Sequence, residues 1–175
     1  MCGGNRCRAR RRIRHAIAEE QEDFARSGRD DSERPLTDEG RDKMRRAIMG
    51  LRRIVSRIDL LASSPYTRAR QTADLLAEGY KMDEVKTVEA LVPNGALQDV
   101  QSWLQRKSSV KVVAIVGHEP QLGELVTWLM SGLREGRVEM KKGGAALLEF
   151  DGQPGPGVGV LQWLLTAGQL RDLGR

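Results

Sequence analysis

The sequence has few of the residues that would indicate a metal site, a disulfide framework or a membrane span. Cys2 and Cys7 are its only cysteines, and two histidines occur in 175 residues. The spacing of these cysteines and histidines does not match a zinc site. Because disulfides are uncommon in cytosolic proteins, we expect both cysteines to be free thiols. No apolar run approaches the length of a membrane span, and the basic start lacks the apolar segment of a secretory signal. We therefore expect a cytoplasmic protein with no membrane partner.

Charge is concentrated at the start of the chain. The formal net charge is +5, and residues 1–12 hold five arginines and no acidic residue. Removing those five from the 29 basic residues leaves 24, which equals the number of acidic residues. The remainder is therefore neutral, which weakens a nucleic-acid interpretation of the whole protein, although a basic arm that touches nucleic acid stays as an alternative.

The stretch Lys111–Gly123, KVVAIVGHEPQLG, predicts a strand, a tight turn and a helix. Val112 to Val116 is an unbroken apolar run rich in β-branched residues, which is typical of a strand buried on both faces. Gly117 ends the run, His118 follows at once, and Pro120 suits the first turn of a helix. His118 is thus predicted at the carboxyl end of a strand, where open α/β sheets bind ligands and a new helix offers N–H groups to an anion. The alternative is a capping or surface histidine.

Other strands and helices alternate along the chain. Thr37 can cap a helix whose apolar residues, from Met44 to Ile58, fall on one face. Further strands are predicted at Ile58–Ala62, Val85–Leu91, Ala145–Phe150 and Val158–Leu165, with a helix through Leu97, Val100 and Leu104. The alternation predicts an α/β protein with a mostly parallel central sheet covered on both sides, and 175 residues fit a single domain.

Three candidate site residues follow predicted strand ends. Arg68 lies in the first turn of the helix after Ser63-Ser64-Pro65, where an arginine opposes the helix dipole. Local stability does not explain it, but contact with an anion beyond the strand end does. His15 lies in a segment that joins a basic run to an acidic one, for which a solvated linker is the plain alternative. We expect His15, Arg68 and His118 to converge.

Three motifs stand in a fixed order: Arg14-His15, Ser64-Pro65-Tyr66-Thr67-Arg68-Ala69-Arg70-Gln71-Thr72, and Val116-Gly117-His118-Glu119-Pro120. Together they resemble the histidine phosphatase superfamily, with its phosphoglycerate-mutase-like αβα sandwich. The short length and Arg34-Pro35-Leu36-Thr37 are similar to the SixA-type phosphohistidine phosphatases in particular. The similarity runs from about Ile13 to Leu165.

The resemblance implies a role for each of these residues. His15 would be the nucleophile that becomes phosphorylated, Arg14 and Arg68 would hold the phosphoryl oxygens, and His118 would add a further donor. Imidazole is partly unprotonated at pH 7 and can attack phosphorus, and phosphoryl transfer needs positioning and charge stabilisation. The resemblance implies no metal or other cofactor, a phosphorylated protein or small molecule as substrate, and a monomer.

The sequence departs from the family pattern in two places. The family begins with an apolar strand ending at Arg-His, whereas Cys7–Ile13 is rich in arginine, so residues 1–12 are either an atypical basic arm or a malformed first strand. The loop Leu91–Ala96 also has no carboxylate to act as a proton donor. Glu89, expected within the third strand, and Glu19 are the candidate acids.

These features predict a metal-independent phosphatase that acts through phospho-His15 on a phosphohistidine protein. Two alternatives remain open. One is a small-molecule phosphomonoesterase or mutase of the same superfamily. The other is a catalytically weak protein that binds phosphorylated ligands.

Overall fold

The computed structural model describes the backbone of residues 12–19, and residues 30–135 and 138–175 with their side chains. Within these residues, six strands form one sheet with helices on both sides, which confirms the predicted α/β class. The elements are β1 (Arg12–Glu19), α1 (Asp38–Ile54), β2 (Leu60–Ser63), α2 (Thr67–Tyr80), β3 (Lys86–Thr87), α3 (Leu97–Arg106), β4 (Val112–Gly117), α4 (Gln121–Ser131), β5 (Ala145–Asp151), β6 (Gly159–Leu165) and α5 (Ala167–Leu173). Short 3₁₀ helices lie at Asp31–Glu33 and Glu89–Leu91. No helix in these ranges is long and apolar enough to cross a membrane.

The order of the strands determines which strand ends lie next to one another. The strands are arranged β3-β2-β4-β1-β5-β6, and the first four run parallel. β5 is antiparallel to β1, and β6 is antiparallel to β5. The carboxyl ends of the four parallel strands therefore meet at one edge, here called the carboxyl edge, from which the connections to α2 and α4 leave.

Strand β4 is buried on both faces, as its sequence predicts. Val113 and Ile115 pack into the cluster formed with α3 and α4, and Ala114 and Val116 pack into the cluster formed with α1 and α2. All four are at most 2% exposed. The alternation follows from the two-residue period of a strand, so each face of β4 joins a separate half of the core.

Helix α1 begins where the sequence indicates. The Thr37 side chain accepts a hydrogen bond from Gly40 N at 3.0 Å, and Met44, Ile48 and Leu51 are buried. The helix then packs closely on α5, which the sequence analysis did not predict. A Cβ at Gly50 would lie 1.7 Å from the Leu170 carbonyl oxygen, so only glycine allows the two backbones to approach this far.

The third strand is shorter than predicted. The sequence pattern indicated a strand over Val85–Leu91, but pairing to β2 covers only Lys86–Thr87. Val88 N still donates to Ser63 O at 2.9 Å, and the chain then turns into the 3₁₀ helix that buries Leu91 completely. Burial of Leu91 against the end of β4 replaces further strand pairing, and an isolated apolar run cannot distinguish these two outcomes.

The first strand lies further along the chain than predicted. It was expected within Cys7–Ile13, ending before Arg14-His15, but β1 runs over Arg12–Glu19; residues 1–11 lie outside the described residues. β1 occupies the centre of the sheet between β4 and β5. Unpaired arginines are costly at the centre of a sheet. The segment of β1 that pairs with Ala114–Val116 is Ala16–Ala18, which carries no charge.

Candidate active site

His118 lies at the carboxyl edge, directly after β4, and is 1% exposed. Its carbonyl oxygen accepts a hydrogen bond from Leu122 N at 3.0 Å, which ties it to the first turn of α4. Its ring lies between two neighbours. Nε2 is 2.9 Å from Ser64 Oγ, and Nδ1 is 3.4 Å from a terminal nitrogen of Arg68. The prediction that His118 follows a buried strand is therefore confirmed.

Arg68 lies in the first turn of α2 and is 5% exposed. Its guanidinium donates to the Asp31 carbonyl oxygen at 2.7 Å and to the Asp31 carboxylate at 3.1 Å. The Tyr66 ring centroid lies 5.5 Å from the guanidinium carbon. Burial of a guanidinium at the dipole-positive end of a helix costs free energy, which these partners help to offset. The arrangement suits an anion bound beside Arg68 and His118.

The contacts of His118 define its tautomer. A guanidinium can only donate hydrogen bonds, so the Nδ1 atom that faces Arg68 must act as the acceptor. With Nδ1 accepting from Arg68, Nε2 is the nitrogen placed to donate to Ser64 Oγ. Ser64 is completely buried, and its Oγ also accepts from Tyr66 N at 3.3 Å. Ser64 therefore fixes the orientation of the imidazole that borders the anion site.

We expect Ser64→Ala to lower kcat about tenfold with a smaller change in KM, because the buried imidazole loses the partner that fixes its orientation. Steady-state kinetics and a pH profile of kcat measure the effect. The matched control is Ser63→Ala. Ser63 is equally buried, but its hydroxyl donates to the Ser64 carbonyl oxygen rather than to His118. Equal losses in the two variants would assign Ser64 a purely structural role.

Sequence reasoning missed three residues of this site. Ser64 and Tyr66 belong to the second motif but were given no role in the site, and Asp31 was not singled out. The Tyr66 ring meets the His118 ring edge-on, with centroids 5.0 Å apart. Pairs that lie 37 and 54 positions apart in the chain, such as Arg68 with Asp31 and His118 with Ser64, leave no local signal.

The structure does not bring the backbone of His15 to the carboxyl edge. The sequence placed His15 just past a strand end, but it lies inside β1, opposite Val113 of β4 and Leu148 of β5, with Arg14 opposite Val112. Val113 precedes His118 by five residues, which corresponds to about 16 Å along a strand. Residue Glu19, not His15, pairs with Gly117 next to His118.

The candidate acids occupy different places. Glu89 is exposed at the start of the 3₁₀ helix rather than within a strand, so its predicted setting was wrong. Glu19 ends β1 at the carboxyl edge, and its side chain lies outside the described residues. Glu119, which was not predicted, has a pKa raised mainly by burial. Its carboxylate accepts a hydrogen bond from Gly123 N at 2.7 Å, so it is occupied in capping α4.

Comparisons with known proteins agree with this geometry. Residues 13–93 match the family model of the histidine phosphatase superfamily (branch 1). A protein of Picosynechococcus sp. is 31% identical over 134 residues, which cover 75% of this chain and 79% of that protein. The chain belongs to the histidine phosphatase superfamily.

Within the superfamily, the chain is close to the SixA-type phosphohistidine phosphatases. The structure of the protein histidine phosphatase SixA complexed with tungstate has a TM-score of 0.81 and 26% identity, covering 90% of this chain and 99% of that chain. A mycobacterial glucosyl-3-phosphoglycerate phosphatase shares the fold, with a TM-score of 0.64 at 15% identity, over 89% of this chain and all of that chain.

Proposed function

We propose that this chain is a metal-independent phosphatase that removes the phosphoryl group from phosphohistidine on a protein, through a phosphorylated His15. The observation that carries the proposal is the buried Arg68–His118 pair at the carboxyl edge, with a guanidinium and an imidazole nitrogen 3.4 Å apart. Arg68 can stabilise the charge on a transferring phosphoryl group, which is the main catalytic requirement of phosphoryl transfer. An oxyanion beside Arg68 would favour the His118 tautomer that donates from Nδ1, with Ser64 Oγ then donating to Nε2. The SixA structure that the chain resembles holds tungstate, a tetrahedral oxyanion.

The proposed reaction has two steps. An unprotonated nitrogen of His15 attacks phosphorus, the P–N bond of the substrate breaks, and the leaving imidazole takes up a proton. Water then attacks phospho-His15, the second P–N bond breaks, and phosphate leaves with His15 regenerated. Arg14, Arg68 and His118 hold the phosphoryl oxygens in both steps. Both bonds broken are of the same kind, so one arrangement of donors serves both transition states.

The proposed reaction requires β1 in a different register from the one described. A shift of four residues would place His15 opposite Gly117 and next to His118. The same shift would bring Arg11 and Arg12 opposite Val113 and Ala114 in the middle of the sheet, which is costly for unpaired charges. The interaction that we propose to favour the shifted register is the contact of Arg14 and His15 with a phosphoryl group held by Arg68 at the carboxyl edge.

The leaving group decides the substrate. A phosphate ester leaves as an alkoxide and needs a proton from an acid in the site. Phosphohistidine leaves as an imidazole, whose reference pKa is about 6.5, and can take its proton from solvent. The loop Leu91–Ala96 carries no carboxylate, and the nearest acid along the chain, Glu89, is exposed. Both observations favour phosphohistidine over an alkyl ester.

We expect kcat/KM to fall in the order phosphohistidine, aryl phosphate, alkyl phosphate, because each step along this series needs more help from an acid. The order is measured by assaying one preparation of the protein with phosphohistidine, p-nitrophenyl phosphate and phosphoserine. Equal or faster hydrolysis of phosphoserine would contradict it and favour the small-molecule phosphomonoesterase. Glu89→Gln would then be the first variant to test for loss of an acid. Binding of all three without turnover would favour the ligand-binding alternative.

A further inference from the structure

A second feature of the carboxyl edge is a cavity of about 550 Å³ between the 3₁₀ helix Glu89–Leu91 and α3. Its wall includes Glu89, Gly95, Asp99, Trp103 and Arg106. It is open to solvent, and its volume is typical of pockets that receive ligands. The proposed phosphoryl site consists of Arg14, His15, Arg68 and His118, and none of these residues is in the wall of the cavity. Of the candidate acids, Glu89 is in the wall.

The cavity is tied to the phosphoryl site on two sides. Val88 in its wall donates to the carbonyl oxygen of Ser63, the residue before Ser64, at 2.9 Å. On the other side Gln121, three residues after His118 and 2% exposed, donates from Nε2 to Ala90 O at 2.6 Å and to Gly95 O at 2.8 Å. A ligand in the cavity would therefore contact a wall that is hydrogen-bonded to the segments carrying Ser64 and His118.

The acidic and basic residues of the cavity lie at different positions along α3. Asp99, Trp103 and Arg106 are spaced by four and three residues, so they share one face of α3. Glu89 and Asp99 place two carboxylates at one end, and Arg106 lies about 10 Å further along the helix. Among the described residues, none of these three charged side chains forms an ion pair. The half-buried Trp103 lies between the two ends, with Lys107 Nζ 5.9 Å from its ring centroid.

We propose that this cavity is the subsite for the polypeptide that carries the phosphohistidine, with a basic residue beside the phosphohistidine facing Asp99 and Glu89 and an apolar residue on Trp103. The proposal rests on the proposed function and names the substrate sequence it favours. A small substrate with a second anionic group would be repelled by the two carboxylates, whereas a cationic side chain would be attracted. Tryptophan and arginine are both enriched among the residues that contribute most to binding at protein interfaces.

The test uses two phosphohistidine peptides of equal length, one with lysine and one with glutamate on both sides of the phosphohistidine. For the wild-type chain we expect kcat/KM to be about threefold to fivefold higher with lysine, the size typical of exposed charge pairs. Asp99→Lys should remove or reverse that preference while leaving hydrolysis of p-nitrophenyl phosphate unchanged. Trp103→Ala should lower kcat/KM about tenfold on both peptides, through KM, with the same activity on the aryl phosphate.

Met49→Ala is the matched control, because Met49 is 51% exposed and lines a different cavity between α1 and α5. It should change none of these values. A lysine-to-glutamate ratio that is unchanged in Asp99→Lys would overturn the subsite, and this exposed substitution decides the matter even if Trp103→Ala does not fold. Peptide hydrolysis without any preference overturns the subsite alone. A wild-type chain that hydrolyses the aryl phosphate but no phosphohistidine overturns the proposed function together with the subsite.

Discussion

His15→Ala should abolish turnover, with kcat lower by at least about 10⁴-fold, because the proposed reaction passes through a bond to this imidazole. The other histidine, His118, is 1% exposed and held by Ser64, so it is not available as a replacement nucleophile. Rapid-quench trapping with a labelled substrate, followed by mapping of the acid-labile phosphoryl group, measures the effect directly. Label should appear on His15 in the wild-type chain and be absent in the variant.

His118→Ala is the informative companion variant. It keeps the proposed nucleophile and removes a donor, so label should still appear on His15 but form more slowly. Label on His118, or burst labelling that persists in His15→Ala, would refute the mechanism. The mapping also tests the register of β1, because His15 can be labelled only if it reaches the carboxyl edge from its described position opposite Val113.

Arg68→Lys should lower kcat/KM about 100-fold, although the substitution keeps the positive charge. Lysine loses the planar fork that matches two phosphoryl oxygens, and loss of one preorganised contact of this kind is typically worth about 3 kcal/mol in the transition state. It also loses the double contact with Asp31, to which Arg68 donates at 2.7 and 3.1 Å. Kinetics on p-nitrophenyl phosphate and the inhibition constant for tungstate together separate catalysis from anion binding.

The control for Arg68→Lys is Arg70→Lys, two residues along the same helix. Arg70 pairs with Asp74 at 3.0 Å and also donates to the Val85 carbonyl oxygen at 3.2 Å, neither of which contacts His118, so its substitution should change the free energy of unfolding only modestly and the kinetics little. Near wild-type activity in Arg68→Lys would show that Arg68 does not contact the phosphoryl group. A loss of folded protein in thermal unfolding would instead assign Arg68 a role in holding Asp31.

Local patterns in the sequence were sufficient for much of the fold and for half of the site. The apolar run of β4, the Thr37 cap of α1 and the turn after Ser63 each depend on neighbours a few residues away, so the sequence alone placed His118 and Arg68 at strand ends. An arginine set against the helix dipole was itself a signal that the residue serves something other than stability.

Only the tertiary structure decided how these residues meet. The pairing of Ser64 with His118, and of Asp31 with Arg68, joins segments that are distant in the chain, and periodicity carries no information about such pairs. The register of β1 was also beyond local reasoning, because it is set by pairing with β4 and β5, which are distant in the chain. The sequence by itself determined the class of fold and the types of residue at the carboxyl edge. Packing across the sheet determined their contacts, since contact energies depend on distances that only the folded chain sets.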